Sequence, residues 1–168
     1  MTVYADYTAD EQRLLTASLE AAAVMVSAAS LGRSEETVSE GFAAASLVLG
    51  SRETYVSNTL VGSVILALEE AAKEEGHFPD YVKEAEADGA TERSRQTLAD
   101  VVVLLDAKAT AVEVAGYKRW LYQIATAVAE AGKEDQGFLG MGGVTVNDKE
   151  RAAYTAIADT LGLEIAEA

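Results

Sequence analysis

Cysteine is absent from this chain. That excludes disulfides, thiolate zinc sites, iron–sulfur clusters and cysteine nucleophiles together, and it suits a reducing compartment, so a cytoplasmic location is expected. Proline occurs once, at Pro79, which leaves nearly the whole chain free to be helical. Histidine also occurs once, at His77. One imidazole cannot furnish a di-iron centre built on two Glu-x-x-His pairs, and the chain has no G-x-S-x-G elbow to accompany a Ser-His-Asp site. His77 lies in an acidic connection and is expected at the surface or beside a helix C-terminus.

Long apolar runs are missing too. The longest, such as LEAAAVMVSAASLG from Leu19, is too short and too polar at its edges to span a bilayer. The opening MTVYADYTADEQ has neither a basic n-region nor an apolar h-region, so no signal peptide is expected there. Positive charge is scarce, with 13 basic residues against 28 acidic ones and a formal net charge of −15. Such a chain repels phosphate backbones and anionic lipid, so neither nucleic acid nor membrane is an expected partner. The charge favours solubility and suits cations or a basic partner protein.

What remains is rich in Ala, Leu and Glu, the strongest helix formers. Apolar residues make up 49% of the 168, enough for one core, and no linker divides the chain. Residues 1–168 are read as a single all-α domain, a bundle of six to seven helices. Several helix starts are explicit. Thr8-Ala9-Asp10-Glu11 is a capping box opening a helix to about Ser30, with Leu15, Leu19, Ala22 and Val26 on one face. Ser34 caps a second helix ending at Gly50, and Ser57 or Asn58 caps a third that stops at Gly76. Pro79 can begin a short helix ending near Asp88-Gly89, and Thr91 caps a long segment through Leu98 and Leu105. Both faces of Val101–Leu105 are apolar, which places that helix centrally. Thr110-Ala111-Val112-Glu113 is a second capping box, and its helix runs to about Gly132. Asn147 to Glu150 start a last helix that ends near Gly162, with Glu164 to Ala168 frayed. Residues 19–50 and 98–129 echo each other, Glu40-Gly41-Phe42 falling where Ala115-Gly116-Tyr117 falls, as two pseudo-repeated helical hairpins would.

Four features invite a functional reading. The stretch Gly137-Phe138-Leu139-Gly140-Met141-Gly142-Gly143-Val144 has no Lys-Ser or Lys-Thr and no preceding strand, so it is not a phosphate loop; its apolar side chains are expected to plug a groove. Asp106 stands on an otherwise apolar helix seven positions before Glu113. Two carboxylates facing one turn would suit Ca²⁺ or Mg²⁺, though Ca²⁺ commonly takes six or more oxygens. The plainer use is an ion pair of Asp106 with Lys108 or Arg119, with Glu113 completing its capping box. Tyr117, Trp120 and Tyr122 suit a core with polar handles. Alternatively, Tyr117, Lys118, Arg119 and Trp120 form a small contact patch on an acidic protein.

Residues 98–163, and Gly116-Tyr-Lys-Arg-Trp-Leu with the glycine stretch above all, resemble a family of small uncharacterised bacterial all-helical proteins. More distantly the two halves resemble the TerB-like, tellurite-resistance helical domain. That resemblance implies a divalent metal held by an Asp after one helix and an acid on the next, which Asp106 and Glu113 match. The first half offers Gly32, Glu35 and Glu36 in place of an Asp-Gly. Two functions follow as expectations. One is a non-catalytic protein-interaction or stress-associated module, self-associating or bound to another protein, with no cofactor. The other is a TerB-like carboxylate metal-binding protein taking Ca²⁺ or Mg²⁺.

Overall fold

The computed structural model describes residues 1–30, 46–48, 50–75, 87–134 and 148–164. The fold is all-α. A 3₁₀ turn at Tyr4–Asp6 precedes α1 (Ala9–Ser30), α2 (Thr59–Glu75), α3 (Ala90–Lys108), α4 (Ala111–Glu134) and α5 (Asp148–Leu161). Residues 46–48 and 50–54 are helical as well, so helical backbone continues past Gly50 rather than stopping there. His77, Pro79, the glycine stretch 137–144, Ser34, Asn147 and the Glu40-Gly41-Phe42 member of the internal echo lie outside the described residues.

The bundle is organised around α1, which packs against α3, α4 and α5 and, more lightly, α2. Its middle is buried on every side: Ala21, Ala22, Ala23, Val24, Met25, Val26 and Ser27 are all inaccessible. Small side chains allow neighbours to approach from all directions, which a ring of leucines would prevent. This corrects the sequence reading, which gave the central place to Val101–Leu105. In α3, Val101 and Leu105 are buried but Val103 is 69% exposed. The helix is one-sided, and the apolar run merely overfills its stripe.

Capping follows the sequence closely where the cap is local. The Thr8 N–H donates to Glu11 Oε2 at 2.7 Å, and the Glu11 N–H to Thr8 Oγ1 at 3.4 Å. Asn58 caps α2, its Oδ1 accepting the Val61 N–H at 3.1 Å. Helix α5 closes as a Schellman turn: Gly162 has φ +64°, the Leu163 N–H donates to the Ala158 carbonyl, and the Gly162 N–H donates to the Asp159 carbonyl. Thr91, expected to cap α3, lies inside it. The cap is Gly89 at φ +72°, with no side-chain bond to the helix N-terminus.

Gly62, inside α2, has open space where a Cβ would stand. Gly62→Ala is therefore expected to stabilise the fold by about 1 kcal/mol, the helix-propensity difference alone, read as a higher urea midpoint at unchanged m-value. A loss would mean that α2 is more crowded than the geometry indicates.

Candidate functional site

The two capping boxes differ in what surrounds them. Glu11 is a surface cap, and its carboxylate also takes the Lys108 ammonium at 2.7 Å. That contact, reinforced by the Thr8 backbone, holds Glu11 below the usual carboxylate range. Lys108 lies over the Tyr7 ring, 4.9 Å from its centroid, and so ties the start of α1 to the end of α3.

Glu113, by contrast, is 3% exposed. Its Oε2 accepts from the Thr110 N–H at 3.0 Å and the Thr110 hydroxyl at 2.7 Å. Its Oε1 accepts from the Thr2 N–H at 2.7 Å and lies 3.0 Å from the Thr59 hydroxyl. The single Thr59 proton is shared between this oxygen and the Thr2 carbonyl at 3.1 Å. Burial alone would raise the carboxyl pKa. The donors of Thr110, Thr2 and Thr59 outweigh burial and hold it at about 2. One carboxylate thus joins the N-terminal segment, the start of α2 and the start of α4.

Asn58 completes the junction. Its Nδ2 donates to the Glu113 carbonyl at 3.1 Å while its Oδ1 caps α2. Gly116, one turn into α4, leaves room for that side chain: a Cβ there would overlap Asn58 Nδ2. Asn58 was legible in the sequence only as a helix cap and Gly116 only as part of the internal echo and the family resemblance; Thr2 carried no signal.

Asp106 is elsewhere engaged. It is 58% exposed, with the Lys118 ammonium at 3.8 Å, rather than paired with Lys108 or Arg119 as the sequence reading offered. A cation at Glu113 would have to displace donors that already occupy both oxygens. Among the described residues, no group of three or more His, Cys, Asp or Glu side chains gathers to hold a metal.

The Tyr117-Lys118-Arg119-Trp120 stretch splits by helical phase. Tyr117 and Trp120 are fully buried, with ring centroids 5.4 Å apart in an edge-to-face contact. The Tyr117 hydroxyl donates to the Leu15 carbonyl at 2.9 Å, and burial pushes its pKa above the ordinary tyrosine value. Among the described residues Trp120 Nε1 finds no hydrogen-bond partner. These aromatics are core and cannot meet a partner in this conformation; only Arg119 of the four is exposed.

Arg119 instead lines an open groove of about 580 Å³ between α4 and residues 54–58. Its walls include Tyr55, Asn58, Val112, Ala115 and Gln123. Val112 is 75% exposed, and Val56, between the lining residues Tyr55 and Ser57, is 79% exposed. The Tyr55 hydroxyl donates to Gln123 Oε1 at 2.6 Å. Beyond this bridge a second hollow of about 490 Å³ continues along α4 to Glu130, sharing Thr54 and Gln123 with the first. Among the described residues no helix is long and apolar enough to cross a membrane. Comparison of the chain with family models, with curated proteins and with solved structures finds no match in any of the three.

Proposed function

We propose that the protein is a non-catalytic interaction module that receives a segment of a partner protein in the groove beside α4. The observation that carries this reading is the combination of shape and exposure. Two adjacent hollows that share Thr54 and Gln123 follow α4 from Ala111 to Glu130, which is about 29 Å of helix at 1.5 Å per residue. That length suits a peptide segment or a helix better than a compact metabolite. Val112 stands in water in the lining of the first hollow, and covering it would gain about 25 cal/mol for each Å² of apolar surface removed from solvent. The net charge of −15 disfavours a second copy of this chain as the occupant and favours a partner whose remaining surface is neutral or basic.

The test fills the groove without touching the core. Ala115 is exposed on α4 and lines the furrow, so Ala115→Trp should occupy it and leave the melting temperature nearly unchanged. A displayed library of random 16-residue peptides is panned against the full chain, with the Ala115→Trp variant as counter-target. The expected result is a set of peptides with Kd on the order of micromolar for the parent chain and at least tenfold weaker binding to the variant. Val112→Asp should reproduce the loss by a different chemistry. Peptides that bind parent and variants alike would refute the reading.

A further inference from the structure

We propose that the groove selects its partner through a carboxylate, held by the Arg119 guanidinium and the Gln123 amide; this rests on the docking reading above. Among the described residues the first hollow is lined by ten side chains or backbones, and Arg119 is the only charged one. In a chain with 28 acidic and 13 basic residues, that is a local reversal of sign. Among the described residues Arg119 makes no ion pair or hydrogen bond, although it lies close enough to Tyr55 for its charge to act on that hydroxyl. The other basic residues along the described part of α3 and the start of α4 are engaged: Arg93 with the Asp88 carbonyl, Arg95 with Glu92, Lys108 with Glu11 and Lys118 with Asp106.

Gln123 stands one turn beyond Arg119, so the two share a face of α4. Its carbonyl oxygen is taken by the Tyr55 hydroxyl at 2.6 Å. The amide is thereby oriented, and among the described residues Nε2 is left as a donor without a partner. A planar guanidinium fork and an amide N–H₂ in the first hollow, whose described lining holds no acid, form a donor set for a carboxylate. Two turns toward the helix start lies Val112, with Ala115 between. The matching segment therefore carries an Asp, a Glu or a C-terminal carboxylate about 10 Å from an apolar side chain. A doubly charged phosphate is the poorer fit, because the field of a chain at −15 repels it more strongly.

The peptides selected against Ala115→Trp supply the probe. They should share one acidic position at fixed distance from an apolar one. Arg119→Gln should weaken their binding about tenfold, the scale of one charge-assisted pair. Changing the shared Asp or Glu to its amide should cause the same loss in the parent chain and little further loss in Arg119→Gln, since a coupled pair is lost only once. Groove-dependent peptides without a shared acid, or indifferent to Arg119→Gln, would overturn the carboxylate proposal and leave the docking reading standing. If no peptide distinguishes Ala115→Trp from the parent, both fall.

Discussion

Replacing Glu113 by alanine is expected to lower the unfolding free energy by about 3–4 kcal/mol, because it strands the buried donors of Thr110 and Thr2 that now share one ionised acceptor. At 2–4 °C per kcal/mol for a chain of this size, the melting temperature should fall by about 10 °C. Glu113→Gln keeps one acceptor oxygen but turns an N–H₂ toward donors, and about half the loss is expected. The charge adds a pH signature. In the folded protein the carboxyl titrates at about 2, and in the unfolded chain it titrates near the ordinary glutamate value of about 4.3. A depressed folded pKa stabilises above the unfolded pKa. The contribution is therefore present in full above about pH 4.5, and it disappears as pH falls toward 2, an interval worth about 3 kcal/mol. Urea unfolding of the parent and Glu113→Gln at pH 7, 4 and 3 should show a stability gap that narrows with acidity. A gap of constant size would mean that shape alone, not charge, explains the residue.

Gly116→Ala is the second large effect, and its sign is opposite to what helix propensity dictates. In an open helix interior alanine gains about 1 kcal/mol over glycine, as expected at Gly62. At Gly116 the new methyl overlaps the Asn58 side chain, which is buried and holds both the α2 cap and the Glu113 carbonyl. Either α4 moves away from α2 or Asn58 leaves, and a loss of about 2–4 kcal/mol is expected from overpacking together with a lost cap. Asn58→Ser keeps a cap while removing the clashing amide. The double variant Asn58→Ser/Gly116→Ala should therefore be more stable than Gly116→Ala alone, a non-additivity measurable by a double-mutant cycle. Simple addition of the two losses would show that the close approach of α2 and α4 is not what glycine serves here.

These residues also mark where sequence reading ends. The Thr110–Glu113 box is legible because its partners are three positions apart, and cap chemistry is a local event. The further donors to Glu113 come from Thr2 and Thr59, and the neighbour of Gly116 is Asn58. Nothing local announces such pairings, since the contact exists only after α2 and α4 have packed. Tyr117 and Trp120 are buried, as the core reading has them, and the choice between that reading and the contact patch needed the fold for a related reason. Helical spacing gives the angle between residues, but which side of the helix faces inward depends on what packs against it. Arg119, between them in sequence, shows the outcome: it falls on the outer side and lines the groove with Gln123.

Amino-acid composition and periodicity by themselves determined that the chain is helical, where its locally capped helices begin, and which apolar stripes each helix must hide, because these depend on neighbours within one or two turns. Tertiary packing alone decided that the alanine-rich α1 occupies the centre, that Glu113 anchors three segments rather than standing free beside Asp106, and that Arg119 lines a hollow open beside α4. Those outcomes depend on which stripes face each other, and that choice is made by the shape and volume of side chains far apart in the chain.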